Sequence, residues 1–208
     1  MKKAFTLVVL IVTPTMAFAQ GTVAFNNQTG LVTSYPALPK SGGSVELIAA
    51  PQGTPLPNPL GTYVWQDLRP YFIPNYSSLS GFLAANPGWE PGTALTGGSN
   101  PGLLAVGGIF NNGGLSLNVA EGANADYIVI GWSGSWTSYD VAFAGGALLG
   151  QSGVFTTTTG DPLLTPPSLA VNLKNTFGGL VLAGVPESKT FTLAGLGLAA
   201  LLVCRRRR

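Results

Sequence analysis

The chain has 208 residues, 46% of them hydrophobic and 9% charged, with no histidine and one cysteine, Cys204. Those counts exclude Ser-His-Asp and Cys-His nucleophile systems, histidine-based zinc sites and a disulfide-stapled scaffold, so a hydrophobic core must hold the fold. The formal charge of +2 belongs to the ends: between Gln20 and Gly184 the bases Lys40, Arg69 and Lys174 stand against seven acids, leaving −4 and excluding a basic nucleic-acid surface.

Residues 1–19 read as a secretory signal. Met1-Lys2-Lys3 is a short basic start, Ala4 to Val12 is apolar, and Ala17 and Ala19 put small residues at both positions that a signal peptidase reads. Cleavage before Gln20 follows, and the chain is expected to be exported. Residues 20–184 then make one β-rich extracytoplasmic domain. About 165 residues suffice for a single core that takes roughly 68–70% of the chain's surface out of water.

Within that domain the apolar residues alternate with the period of half-buried strands. Val23 and Phe25 do so just after the cleavage site, and Val45 and Leu47 flank Glu46 in the same way. Pro51 to Pro59 holds four prolines in nine residues and reads as an extended surface loop. Residues 67–102 show no strand period, and Ser77 to Ala85 is long enough for one or two helical turns. Leu115, Leu117 and Val119 alternate again. Tyr127 to Ile130 is apolar at every position, as a central strand covered on both faces would be.

Further alternating or apolar sets follow at Tyr139, Val141 and Phe143, at Val154-Phe155, at Leu169-Ala170-Val171 and at Leu180-Val181-Leu182. Paired glycines at 42–43, 97–98, 107–108, 113–114 and 145–146 punctuate the runs, supplying the φ values that turns need. Many short strands with such breaks predict an all-β fold, an antiparallel β-sandwich or jelly-roll-like domain.

Trp132, Trp136, Tyr139 and Asp140 gather around a Ser/Gly turn. Trp132 is expected to pack in the core with Ile128 and Ile130. Trp136, at the turn's tip, and Tyr139 are the candidate platform for a sugar ring. Glu90, Glu121, Asp126 and Asp140 are the acids from which a glycosidase-like pair would have to come, but isolated acids in Gly/Asn-rich turns are usually solvated. Glu121, Asn124 and Asp126 offer oxygen atoms without the spacing of a calcium loop. No catalytic, metal or cofactor motif emerges, and the expectation is a protein that is not an enzyme.

The last stretch, residues 185–208, is the most specific. Val185-Pro186-Glu187 precedes an apolar run, Thr190 to Cys204, and four arginines, Arg205, Arg206, Arg207 and Arg208, end the chain. Fifteen residues span about 22 Å as a helix, short of the roughly 30 Å of a hydrocarbon core. Such an anchor relies on bilayer thinning and on snorkelling of Lys189 and Arg205. The arginines act as a cytoplasmic stop and leave the preceding domain facing outward.

That arrangement resembles the PEP-CTERM sorting signal, also catalogued as the ice-binding protein C-terminal domain, in its Val-Pro-Glu motif, short helix and arginine cluster. It departs from the family at Ser188, where a second proline is usual, and covers about 24 of the 208 residues. The resemblance implies that the motif residues are the substrate site of an exosortase, a membrane transpeptidase-like enzyme that releases or transfers the protein. It implies inner-membrane anchoring before processing and a cell-surface or extracellular position afterwards. The Gly21 to Asn27 opening and the Gly150 to Phe155 segment are similar to exported β-rich proteins that often carry this signal. Thr156 to Thr159 is a single threonine run without the repeated rungs of an ice-binding face.

The expected role is therefore structural or adhesive, in the envelope or an extracellular matrix. Signal peptidase, an exosortase-like enzyme and an exopolysaccharide are the expected partners. The runner-up is a carbohydrate-binding module using Trp136 and Tyr139; a carboxylate-based glycan hydrolase comes third.

Overall fold

The computed structural model describes residues 20–27, 32–34, 42–66, 68–105 and 108–186. They form β1 (Gln20–Asn26), β2 (Val32–Ser34), β3 (Gly43–Pro51), β4 (Gly61–Gln66), β5 (Arg69–Pro74), α1 (Leu79–Ala85), β6 (Glu90–Pro91), β7 (Thr93–Ala94) and β8 (Gly102–Leu104). The long pair β9 (Asn111–Ala120) and β10 (Asn124–Ser133) follows, then α2 (Tyr139–Ala144), β11 (Leu149–Gln151), β12 (Phe155–Thr158), β13 (Val171–Asn172) and β14 (Leu180–Leu182). The described residues make an all-β fold with two short α-helices and a 3-10 turn at Leu173–Asn175.

One sheet runs β13-β1-β9-β7 and a second runs β11-β10-β3-β6, with β12 also pairing to β10 and β8 to β3. The β9–β10 connection joins the two sheets. β3 pairs antiparallel with β10 along its whole length, from Pro51 opposite Ala125 to Gly43 opposite Ser133. Two smaller ribbons, β2 with β14 and β4 with β5, complete the structure.

Period-2 alternation explains how the layers stack. Val45, Leu47 and Ala49 of β3, with Tyr127 and Val129 of β10, face Val23, Phe25, Leu115 and Leu117 of the first sheet in one core. The intervening residues Ile48, Ala50, Ile128, Ile130 and Trp132 enter a second core beneath α1, α2 and the β4–β5 ribbon, with Leu60, Phe72, Phe82 and Tyr139. The central strands are thus covered on both faces, which is why Tyr127 to Ile130 has no polar side. Each such fully buried large apolar side chain contributes about 1.5–3 kcal/mol from burial alone.

The expected strand at Tyr139, Val141 and Phe143 is corrected: these residues lie in α2. Ser138 caps it, its Oγ accepting from the Val141 N–H at 3.4 Å, and Asp140 occupies the first turn. Positions four apart share a face in a helix and in a strand alike, so Tyr139 and Phe143 fit both periods and stack at 6.4 Å. Val141, 46% exposed, is the member that a strand would have turned inward with them. Leu169 is also misplaced by the sequence reading. It is 87% exposed, and only Val171–Asn172 pairs, with β1. The helical turns expected over Ser77 to Ala85 form as α1, with Ser78 Oγ accepting from the Gly81 N–H at 3.1 Å.

Candidate functional site

A cleft of about 900 Å³ opens over one end of the first core, with Leu104 and Phe110 forming part of both. Its walls are the start of β3, the 99–105 segment, residues 109–112 and the turn at 134–137. Each wall is fastened to the sheets by hydrogen bonds. Asn100 accepts from the Leu47 N–H at 2.8 Å and donates to the Leu47 carbonyl at 3.0 Å, so its side chain mimics a strand partner for β3. Buried Asn27 accepts from the Phe110 N–H at 2.6 Å and donates to the Gly108 carbonyl at 2.8 Å. The turn is tied by Gly134 N–H to Gly42 O at 3.2 Å and by Trp132 Nε1–H to Trp136 O at 2.9 Å.

Trp136 is 38% exposed. Its ring rests on Gly145, where a Cβ would lie 2.6 Å from Cζ2, and a side chain at Gly134 would lie 3.1 Å from Nε1. Two glycines therefore make the bed that holds the indole at the cleft's edge. Leu103 and Ile109, 79% and 49% exposed, add apolar surface. None of the described residues lining the cleft is charged.

The floor holds Asn112, 6% exposed, whose Nδ2 is buried without a hydrogen-bond partner. It packs against Gly102, where a Cβ would fall 2.0 Å from the amide carbon, so only glycine fits there. A buried donor with no acceptor costs about 1–3 kcal/mol. The sequence reading missed Asn112. The signal available was Asn111-Asn112-Gly113-Gly114, a polar run opening a strand whose remaining residues alternate.

The structure separates the two aromatic candidates. Tyr139 has no exposed surface, and its hydroxyl donates to the Tyr76 carbonyl at 2.9 Å. Burial and the nearby Asp140 push its ionisation up. Tyr139 is therefore corrected from sugar contact to core residue, because α2 turns it into the second core. Tyr139→Phe should cost about 1 kcal/mol in urea unfolding while leaving any binding at Trp136 unchanged. Trp132, with no exposed surface, sits in the second core with Ile128 and Ile130, as expected.

The acids are dispersed. Asp126 accepts from the Gly53 N–H at 2.7 Å and from Thr156 Oγ1, fastening a loop and β12 to β10. Asp140 accepts from the Leu79 N–H at 2.7 Å, joining the two helices. Glu90 accepts from Asn118 at 2.9 Å. Desolvation first, and the neighbouring Asp161 carboxyl second, raise the ionisation of Glu121. Asn124 donates to Gln52 at 3.0 Å, so Glu121, Asn124 and Asp126 do not converge. Among the described residues no group of three or more acids, cysteines or histidines is placed to hold a metal.

One buried acid was not anticipated. Glu46, 7% exposed, points to the second core from β3. Desolvation first, and Asp140 second, raise its ionisation to about 7. A second cleft, of about 510 Å³, lies beside Trp65 and Tyr63. The Tyr63 hydroxyl there is consumed by the fold, bonded to Val181 O at 2.6 Å and accepting from the Gln151 N–H at 3.0 Å.

Of the sorting residues, Gln20 is the exposed first residue of β1. Val185 and Pro186 are half-buried, Val185 packing on the second core. Phe72 N–H donates to Gly184 O at 3.2 Å immediately before them. Ala17, Ala19, Glu187, the 190–204 run and Arg205, Arg206, Arg207 and Arg208 lie outside the described residues. Among the described residues no helix is long and apolar enough to cross a membrane. No protein-family model matches the chain, and no curated protein or solved structure is significantly similar to it.

Proposed function

We infer that this chain is an exported adhesive protein of the bacterial envelope or extracellular matrix, its two main sheets forming a β-sandwich that presents the Trp136 cleft. The observation that carries the adhesive reading is that cleft: uncharged among its described residues, edged by an exposed indole and floored by an amide with an unused donor. Wide, largely apolar clefts with a few polar groups are the usual form of ligand sites. Asp126 and Asp140 spend oxygens on backbone N–H groups, which favours binding over catalysis.

Export and sorting rest on the two ends of the sequence. β1 begins at Gln20, so cleavage before Gln20 leaves β1 whole. The paired chain runs to Gly184, so cleavage at the Val185-Pro186-Glu187 motif by an exosortase-like enzyme leaves both sheets whole. Mass spectrometry of the native protein after cell fractionation tests this. The expected mature chain starts at Gln20, lacks the 190–204 run and is found at the surface or in the medium. A cytoplasmic chain beginning at Met1 overturns export; a surface chain still ending at Arg208 overturns sorting by cleavage.

A further inference from the structure

We propose that the Trp136 cleft binds an uncharged glycan through an N-acetylated hexosamine unit, the indole stacking on the sugar ring and the Asn112 amide donating to the acetamido carbonyl. The proposal rests on the adhesive reading and gives it a ligand. Three features of one cleft select this chemistry.

The first is the indole. Trp136 is held against Gly134 and Gly145 and stays 38% exposed beside the cleft it lines. A rigid aromatic surface of that kind matches the apolar C–H face of a pyranose and loses little conformational freedom on binding.

The second is charge. None of the described lining residues is ionisable, and the groups available are hydroxyls, amides and apolar carbons. A uronic acid or a sulfated or phosphorylated sugar would surrender its hydration there without a counter-charge, which is unfavourable. A neutral sugar carries no such penalty.

The third is the orphan donor. Asn112 Nδ2 lies at the floor, beneath the Gly102 segment, with no acceptor from the protein. The proposal requires the 101–103 segment, which packs on this amide, to move aside for a ligand acceptor that projects from the ring. An acetamido group has that shape: a carbonyl for the amide and a methyl for the apolar wall of Leu104, Ile109 and Phe110. A ring hydroxyl lies too close to the pyranose to deliver both. The size of the cleft, about 900 Å³, falls within the usual range for small-molecule sites.

Titration calorimetry of the full chain in detergent, with chitotriose and cellotriose as probes, tests the proposal. These differ at every ring by the acetamido group. The expected result is saturable binding of chitotriose at least about tenfold tighter than of cellotriose. Trp136→Ala should weaken it about tenfold or more. Gly145→Ala provides a variant that keeps the fold, since φ is −82° there, and the added methyl lifts the indole from its bed. It should weaken binding in the same direction. Asn112→Leu, checked for folding by circular dichroism, should erase the preference for chitotriose.

Equal affinity for the two trisaccharides overturns the acetamido assignment while leaving a glycan cleft in place. Binding unchanged in both Trp136→Ala and Gly145→Ala overturns the site. No binding of either sugar overturns the ligand class, and the mature ends found by mass spectrometry then judge the envelope reading separately.

Discussion

Replacing Glu46 by glutamine should flatten the pH dependence of the domain's stability between about 4.5 and 7. In the folded protein Glu46 keeps its proton up to about 7, against an ordinary value of 4.5. Between these limits the native state binds more protons than the unfolded chain, so stability is full below 4.5, falls as pH rises toward 7 and is level above. The size of the loss is on the order of 3 kcal/mol. The cause is mainly desolvation: β3 aims Glu46 into the second core, where ionisation forfeits hydration, and Asp140 adds repulsion. Glutamine has the shape of the protonated acid and no charge to lose. Urea unfolding at pH 5 and pH 8 should show the variant more stable than the parent at pH 8 and close to it at pH 5. Parallel pH curves for the two proteins would refute the account.

Trp132→Ala should cost about 3–5 kcal/mol, the usual range for emptying a buried aromatic site. Against a typical total of about 5–15 kcal/mol, that is a large fraction. Two effects add. The side chain has no exposed surface and fills the second core between β10 and α2. Its Nε1–H also holds the 134–137 turn through Trp136 O at 2.9 Å, so the exposed indole loses its support. Trp132→Phe separates them, since it retains most of the packing and removes only the hydrogen bond, and about 1–2 kcal/mol is expected. A domain this size loses roughly 2–4 °C of Tm per kcal/mol. A Trp132→Ala protein melting within about 3 °C of the parent would refute the prediction.

Much of the sheet architecture was legible in the residues. Val23 and Phe25, Val45 and Leu47, and Leu115, Leu117 and Val119 alternate because each strand has one face on the first core. Tyr127 to Ile130 has no polar partner because the strand is covered twice. The same alternation misled at Tyr139, where three apolar residues are too few to distinguish a period of 2 from one of 3.6, and the capping Ser138 was the overlooked cue. Glu46 reads as a solvent-facing residue between two core positions. Only the presence of α1, α2 and the β4–β5 ribbon over that face makes it buried.

Of the candidate site, Trp136 was legible as a turn-tip aromatic. Its partners were not, because they come from elsewhere in the chain: Gly145 beneath the ring, Asn112 from β9 and Gly102 from β8. No local pattern connects residues 102, 112 and 136.

The sequence by itself determined the all-β class and the mildly acidic character of residues 20–184, because these follow from composition and period; the proposal of export and sorting rests on the residues at its two ends alone. The tertiary structure alone decided that Tyr139 is core, that Glu46 is buried and that Trp136 and Asn112 share one cleft. Such facts depend on which layers cover which strand faces, and that is set by contacts between residues far apart in the chain.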